Sequence, residues 1–239
     1  MTEPLLEARD VFAGYVADLA IVRGASIAIA SGEVVTIIGP NGAGKSTFVK
    51  TMAGLVRLFS GAITLAGRAI GGLPPQDLVR AGLGFVPQTA NVFTTLTVHE
   101  NLRVGGHLLR HGFAARAAAI YSLFPDLADR RRHLGSQLSG GQRQMLAFAR
   151  ALIMEPRVLM LDEPSAGLSP KMANMVFEKA RSLARTGIAV LMVEQNAKAA
   201  LAVSDRAYVL VEGREQLSGP ADRLLDDPAV RRLYLGGHA

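Results

Sequence analysis

Short apolar runs alternate with helical patterns along most of the chain. The runs stand at 33–39 ("EVVTIIG"), 82–88 ("GLGFVPQ"), 158–163 ("VLMLDE"), 188–194 ("IAVLMVE") and 206–213 ("RAYVLVEG"). Several are apolar at consecutive positions rather than at every second one, which is typical of strands buried on both faces of a parallel sheet. Because helical patterns separate the runs, the order predicts an α/β domain with an open, mostly parallel core sheet.

A second region has a different pattern, rich in helix formers and helix starts. Thr97 stands three positions before Glu100, which predicts a capped helix, and "AARAAAIYSLF" (114–124) lacks any strand signal. A further helix start is predicted at Ser169, which precedes Pro170. We therefore predict one domain over 1–239, with an α/β core (about 1–88 and 156–239), a helical insertion (about 89–155) and an antiparallel β-flap in the first thirty residues.

Composition narrows the class of protein. The chain has 239 residues and no cysteine, which excludes disulfides and cysteine-ligated metal centres and favours a reducing cytoplasm. The N-terminal "MTEPLLEARD" lacks a secretory signal pattern, and the apolar runs are too short to cross a bilayer. The net charge of +6 permits nucleic acid, anionic lipid or polyphosphate as a partner. The cluster "RRRH" (130–133) favours a solvated helix end over a nucleic-acid groove.

The stretch "GPNGAGKST", here called the phosphate loop, follows the buried run at 33–39 and opens a helical pattern. It matches G-x-x-x-x-G-K-[ST], in which glycines let backbone N–H groups surround a phosphate and the helix N-terminus adds its positive end. Lys45 is expected to reach the β- and γ-phosphates, and the Ser46 hydroxyl is expected to bind Mg²⁺. The predicted nucleotide-binding residues of the loop are Gly39, Pro40, Asn41, Gly42, Ala43, Gly44, Lys45, Ser46 and Thr47.

A pair of carboxylates follows a later buried strand. In "VLMLDEP", Asp162 ends the apolar run and Glu163 comes directly after it. Ligands bind at this edge of parallel sheets, so one carboxylate can hold the metal while its neighbour polarises an attacking water. The pair predicts hydrolysis of the bound triphosphate as well as binding.

A second glycine motif, "LSGGQ" (138–142), precedes an amphipathic helix and is here called the signature segment. Ser139 and Gln142 have the spacing of a capping box, which alone is an ordinary helix start. Two glycines in the first turn cost helix stability, about 1 kcal/mol each relative to alanine. Their presence indicates that another molecule approaches the helix terminus closely.

With these motifs in place, the sequence resembles the ATP-binding subunits of ABC transporters along nearly its whole length. In that family two ATPase domains pack head to tail, and each ATP lies between the phosphate loop of one chain and the signature segment of the other. The resemblance therefore implies ATP and Mg²⁺ as cofactors and a second ABC ATPase subunit as partner, homodimeric or heterodimeric. It assigns Ser139, Gly140, Gly141 and Gln142 to the neighbour's nucleotide.

Other roles carry over by matching motifs. Tyr15 matches the aromatic residue that stacks on adenine, and Gln88 matches the glutamine that touches Mg²⁺ and the attacking water. Asp162 matches the metal ligand together with Ser46, and Glu163 matches the catalytic base. The resemblance further implies that the segment after Gln88 faces transmembrane permease subunits, with a periplasmic binding protein as an indirect partner.

Two departures narrow the resemblance. First, Gln195 stands where most members have a histidine. Gln195 is therefore expected to position the γ-phosphate without relaying a proton. Second, Ser169 replaces the usual aspartate. Together with "FPDLADRRR" and "ADRLLDDPAVRRLYLGG", these features resemble the second ATPase component of branched-chain amino-acid importers. That resemblance implies a peripheral protein at the cytoplasmic face of the inner membrane, which does not bind nucleic acid.

Two other functions remain open from the residues. A soluble ABC-type ATPase acting on nucleic acid or ribosomes is consistent with the positive charge, although such proteins usually have two nucleotide domains or a long coiled-coil insertion. A P-loop kinase of a small metabolite would leave the signature segment unexplained.

Overall fold

The computed structural model describes residues 3–228 and 230. The motif "ADRLLDDPAVRRLYLGG" (221–237) is described only up to 228 and at 230, so the rest of that resemblance lies outside the described residues. The strands are β1 (Leu6–Gly14), β2 (Val22–Ile29), β3 (Val34–Ile38), β4 (Arg57–Leu65), β5 (Arg68–Ala69), β6 (Leu83–Val86), β7 (Val158–Asp162), β8 (Ala189–Val193), β9 (Arg206–Val211) and β10 (Arg214–Pro220).

The helices begin mostly where the sequence predicts. Thr97 and Ser139 each cap a helix through a complete capping box, and Pro170 is the first residue of the helix after Ser169. The helices are α1 (Lys45–Met52), α2 (Pro75–Ala81), α3 (Val98–Gly105), α4 (Phe113–Leu123), α5 (Pro125–Asp129), α6 (Gly140–Leu152), α7 (Pro170–Ala184), α8 (Ala197–Leu201) and α9 (Ala221–Asp226), with a 3₁₀ turn at Gly135–Gln137.

Within the described residues, the strands form two sheets. The larger has the order β10-β9-β3-β8-β7-β6, with parallel pairing from β9 through to β6 and an antiparallel β10 at one edge. The smaller is antiparallel in the order β2-β1-β4-β5. The predicted fold class, a mostly parallel core sheet with an N-terminal antiparallel sheet, is confirmed.

The central strands are buried because both faces of the large sheet are covered. Every residue of β3, β7 and β8 is buried, as their continuous apolar runs predict. Val35 and Ile37 pack into a cluster with α1 and the antiparallel sheet, whereas the preceding residue, Val34, packs with α6 and α7 on the opposite face. Successive side chains of β3 thus point to opposite faces of the sheet, so one apolar run contributes to two hydrophobic clusters.

Some elements were not predicted. The antiparallel sheet extends beyond the first thirty residues and includes β4 and β5, and α2 and β10 were also missed. Among residues 3–228 and 230, no helix combines the length and apolarity required to cross a bilayer.

Candidate active site

Four neighbouring strands of the large sheet end at one edge and deliver the predicted site residues there. The phosphate loop follows β3, Gln88 follows β6, Glu163 follows β7, and Gln195 stands two residues after β8. Backbone hydrogen bonds fix the register at this edge: Glu163 N donates to Val193 O (2.9 Å) and Glu194 N donates to Ile37 O (3.2 Å). Residues far apart in sequence therefore meet in one place, as expected for a ligand site in a parallel sheet.

The phosphate loop turns from β3 into α1 through a left-handed residue. Gly44 has φ 92° and caps α1, and the loop closes with a hydrogen bond from Ala43 N to Pro40 O (3.2 Å). A side chain at this position would be strained, which explains the requirement for glycine. The first N–H groups of α1 lack acceptors within the helix and form a positive terminus beside the loop.

Lys45 lies folded against the phosphate loop. Its side chain is buried, and the ammonium donates to Gly39 O (2.8 Å) and Pro40 O (3.0 Å). Burial lowers the pKa of Lys45, while the nearby carboxylates of Glu163 and Asp162 act in the opposite direction. Among the described residues, the ammonium donates only to these carbonyl groups of the loop, so an anion in the loop could replace them at little structural cost.

Asp162 presents its carboxylate to α1. The Ser46 hydroxyl donates to Asp162 Oδ1 at 2.6 Å. The buried Oδ2 accepts no hydrogen bond from the described residues and has the Lys50 ammonium at 3.4 Å. A hydroxyl and a carboxylate are hard oxygen ligands of the type that Mg²⁺ prefers, so these residues fit the implied metal.

Glu163 adopts an unusual backbone conformation. Its φ of 46° lies in the left-handed region, and Gln88 Nε2 donates to its carboxylate at 2.8 Å. Non-glycine residues in this region carry strain that the surrounding structure must hold. The structure thus brings together two of the three predicted catalytic residues, Glu163 and Gln88.

The third predicted catalytic residue contacts the phosphate loop. Gln195 is exposed, and its Nε2 donates to Asn41 Oδ1 at 2.9 Å. A glutamine amide can donate to a phosphate oxygen in the same way. The structure therefore places the Gln195 amide against the phosphate loop.

Sequence reasoning missed a fourth residue at this edge. Glu194 is only 1% exposed, and its carboxylate accepts hydrogen bonds from Ser165 N and Ser165 Oγ, both at 2.9 Å. The signal was present in the sequence, because a charged residue ends a fully apolar run next to Gln195. By itself, a charged residue in this position indicates only the end of a strand.

The signature segment lies apart from the phosphate loop. Ser139 Oγ accepts from Gln142 N (3.3 Å) and Gln142 Oε1 accepts from Ser139 N (2.9 Å). Gly141 packs against α7, since a Cβ placed there would lie 1.8 Å from Met172 Cε. Among the described residues, no hydrogen bond joins the signature segment to the phosphate loop.

Tyr15 lies in the turn between β1 and β2 and is 61% exposed. The end of this turn contacts the start of α1, because a Cβ on Gly44 would lie 3.3 Å from Ile21 O. An exposed aromatic ring on a turn beside the phosphate loop is available for stacking with a base.

Comparison with known proteins agrees with this arrangement. Residues 22–166 match the family model described as ABC transporter. The chain is 41% identical to the high-affinity branched-chain amino acid transport ATP-binding protein BraG of Pseudomonas aeruginosa (95% of this chain and 98% of the relative). It is 40% identical to the probable branched-chain amino acid transport ATP-binding protein LivF of Archaeoglobus fulgidus (94% and 95%). The lipopolysaccharide export system ATP-binding protein LptB of Acidithiobacillus ferridurans is 38% identical (97% of both chains).

Solved structures share the complete fold. The ADP conformation of an ATP-binding cassette of an ABC transporter has a TM-score of 0.89 at 27% identity, with 99% of this chain and 100% of that chain covered. A nucleotide-free ATP-binding cassette has a TM-score of 0.88 at 26% identity (98% and 100%). The resemblance stated from the sequence motifs is confirmed: the chain belongs to the ABC transporter family, as one of its ATP-binding cassettes.

Proposed function

We propose that the chain is the ATP-hydrolysing subunit of an importer for branched-chain or related amino acids, working at the cytoplasmic face of the inner membrane. The observation that carries the hydrolytic part is the edge of the large sheet, where the phosphate loop, Asp162 and the hydrogen-bonded pair of Glu163 and Gln88 meet. The transported solute is inferred from BraG and LivF, because no residue of this chain would touch it.

The nucleotide binds along the phosphate loop with its base near Tyr15. The loop 39–47 and the first turn of α1 supply N–H groups for the phosphates, and Lys45 turns from the loop carbonyls to the β- and γ-phosphates. The exposed ring of Tyr15 stacks on adenine. This proposal explains why the Lys45 ammonium donates to the carbonyl oxygens of Gly39 and Pro40, because phosphate oxygens can replace both acceptors.

Mg²⁺ would be held by Ser46 and Asp162, with Gln88 close to it. When bound, the ion neutralises charge on the β- and γ-phosphates. Asp162 Oδ2 has no hydrogen bond of its own, so it supports this assignment.

Glu163 acts as the general base toward an attacking water. Gln88, which already donates to its carboxylate, orients that carboxylate and the water, and Gln195 exchanges its bond with Asn41 for one with the γ-phosphate. A positioned base of this kind contributes about 100-fold to 10,000-fold in rate.

A second ATPase subunit, identical or related, completes each site. The signature segment, Ser139 to Gln142, makes its hydrogen bonds within its own helix start. Gly141 is buried against Met172, whereas Ser139 is exposed and Gly140 is half-buried, so these first two residues are the part that would meet another chain's nucleotide. Both ATP molecules would then lie between the two subunits.

The helical part, about 89–155 of a single domain over 1–239, carries the motion to the permeases. A cleft of about 190 Å³ lies between β6, the segment after Gln88 and α6, and it is lined in part by Asn91 and Arg150. Phe93, on the same segment, is 47% exposed and stacks under the Arg150 guanidinium at 4.7 Å. An exposed aromatic beside a cleft suits a partner segment.

The solute is tested by reconstitution. The chain is purified with its permeases from native membranes and placed in proteoliposomes with the cognate binding protein, and ATP-dependent uptake of labelled leucine, isoleucine and valine is measured. We expect uptake with the wild type and none with Glu163→Gln. Co-purification with lipopolysaccharide export components, as the LptB relative's name suggests, or steeply salt-dependent binding to RNA or DNA would contradict the proposal.

A further inference from the structure

Glu194 is a buried carboxylate with an unusually complete set of donors. It accepts from Ser165 N (2.9 Å), from Ser165 Oγ (2.9 Å) and from Gln195 N (3.2 Å), and it is 1% exposed. A cleft of about 430 Å³ borders this residue together with Glu163, Ser165 and Gln195. The carboxylate therefore forms the wall between the proposed catalytic base and the proposed γ-phosphate sensor.

Such a carboxylate is costly to keep at the end of a buried strand. Burial raises the pKa of Glu194, and the hydrogen bonds from Ser165 offset this only in part. A neutral side chain would avoid the desolvation cost. The carboxylate fixes the positions of the groups that donate to it, Ser165 and the backbone N–H of Gln195.

One of those groups holds the strained segment after β7. Ser165 lies two residues after Glu163, whose backbone is left-handed with φ 46°. The backbone is held on one side by the bond from Glu163 N to Val193 O (2.9 Å) and on the other by the two bonds from Ser165. Without the two hydrogen bonds from Ser165 to Glu194, the backbone after β7 can relax, and the Glu163 carboxylate would then change position.

The other donor connects Glu194 to the phosphate loop. Gln195 N donates to Glu194, and the Gln195 side chain donates to Asn41 at 2.9 Å. A continuous set of hydrogen bonds thus runs from Asn41 through Gln195 and Glu194 to Ser165.

We propose that Glu194 is a positioning residue that fixes Glu163 and Gln195 relative to each other, so that the base and the sensor act on the same phosphate. The proposal rests on the function proposed above. Glu194 is 1% exposed and its carboxylate is held by Ser165 and Gln195, so its loss is expected to affect turnover rather than nucleotide affinity.

The test compares Glu194→Ala, Glu194→Gln and Ser165→Ala in the full chain. Turnover is measured as phosphate release, and affinity is measured with a fluorescent ATP analogue in Mg²⁺. We expect Glu194→Ala to lower kcat about 100-fold, the effect of a misplaced catalytic group, with the dissociation constant changed less than about threefold. Glutamine keeps an acceptor for Ser165 N and can donate to Ser165 Oγ, so Glu194→Gln is expected to recover most of the activity.

Ser165→Ala removes one of the same bonds and is expected to lower kcat about 10-fold. Because both residues act through one contact, Glu194→Ala with Ser165→Ala is expected to be no worse than Glu194→Ala alone. Asp205→Asn is the matched control: Asp205 also accepts from a backbone N–H (Val34) and a side chain (Arg181), but at the other end of β3. That variant is expected to lose stability while keeping its kcat.

Three results would overturn the proposal. These are a kcat within threefold of wild type for Glu194→Ala, a loss that falls on affinity alone, or an equal loss of kcat in Asp205→Asn. If Glu194→Ala does not fold, an unchanged kcat in Ser165→Ala, which alters only a half-buried hydroxyl, is the contradicting result. A wild-type chain without ATPase activity would instead refute the proposed function.

Discussion

The hydroxyl of Ser46 donates to Asp162 Oδ1 at 2.6 Å and so joins the start of α1 to the end of β7. The contact spans 116 positions of sequence and places two oxygen ligands side by side before any ion binds. The Lys50 ammonium lies 3.4 Å from Oδ2 of the same carboxylate, and the charge of Asp162 also acts on Lys45.

Replacing Ser46 with alanine removes the hydroxyl ligand and leaves Asp162 in place. We expect the Mg²⁺-dependent part of ATP affinity to fall about 10-fold, the value of one hydrogen bond or ligand of this strength, while ATP affinity without Mg²⁺ stays unchanged. Titration of a fluorescent ATP analogue with and without Mg²⁺ measures both. Thr51→Val, on the same helix but bonded to Thr47 O, is the control, and equal behaviour of the two variants would contradict the assignment.

Replacing Glu163 with glutamine removes the base but keeps the shape of the side chain and a partner for Gln88. We expect hydrolysis to fall at least about 100-fold, while ATP binding persists and the dimer accumulates in its closed form. Phosphate release measures the loss of hydrolysis, and gel filtration with ATP and Mg²⁺ measures the accumulation of the dimer. Undiminished hydrolysis would remove Glu163 from its proposed role.

Replacing Gln195 with alanine removes the bond to Asn41 and the donor for the γ-phosphate. We expect kcat to fall about 10-fold or more, because a hydrogen bond to a charged group is lost. Gln195→His restores a ring N–H donor and is expected to retain most of the activity. An alanine variant with normal turnover would make Gln195 a bystander.

Replacing Gly141 with alanine is expected to prevent dimer formation without preventing folding. The new methyl would lie 1.8 Å from Met172 Cε, the flexible end of a side chain that can turn away. The melting temperature is expected to change by less than about 4 °C, since alanine also favours the helix by about 1 kcal/mol. The ATP-driven dimer of Glu163→Gln is expected to disappear when Gly141→Ala is added. A dimer of undiminished yield on gel filtration would refute the role of the signature segment.

The two carboxylates Glu194 and Asp205 are expected to respond to pH in opposite directions. Burial raises the pKa of Glu194 above its ordinary 4.5, so its contribution to stability is full below that pH and is lost as pH rises through the folded-state pKa. Glutamine does not ionise. The free energy of unfolding of Glu194→Gln, relative to wild type, is therefore expected to rise as the pH increases above 4.5 in urea titrations.

For Asp205, burial raises the pKa, but hydrogen bonds from Arg181 and Val34 outweigh it and hold the pKa below the ordinary 3.8. Its stabilisation is present above that pH and is lost as pH falls through the folded-state pKa. The destabilisation of Asp205→Asn is thus expected at neutral pH and is expected to shrink in acid. The same trend in both variants would contradict the assigned causes.

The strands of the central sheet were predictable from sequence because burial on both faces leaves an uninterrupted apolar run. The missed elements lack that signal. β4 is mostly exposed or half-buried along its length and contains Gly61, and α2 buries only Leu78. After the phosphate loop, the sequence "KSTFVKTMAGLV" (45–56) has a helical pattern throughout, but α1 ends at Met52 and Gly54 is left-handed with φ 72°. Weakly buried elements such as β4 and α2 leave no clear hydrophobic periodicity in the sequence. The end of α1 depends on a single glycine, which periodicity does not detect either.

The site was predictable to the extent that single motifs name its residues. The phosphate loop and Glu163 each stand directly after a recognisable strand, and Asp162 is the last residue of one. The pairings could not be predicted, because the contacts of Gln88 with Glu163 and of Gln195 with Asn41 depend on which strands are neighbours in the sheet. Glu194 was missed for the same reason: its partner Ser165 belongs to the adjacent strand connection.

The capping box of α6 has a consequence for how two cassettes meet. Ser139 and Gln142 have already bonded to each other in the single chain, so this terminus is in its final shape before a companion arrives. On the proposed function, sandwiching ATP then demands little loss of backbone freedom at the glycines. The rate of closure would then depend on salt concentration, because this chain carries a net charge of +6 and charge governs how fast two subunits meet.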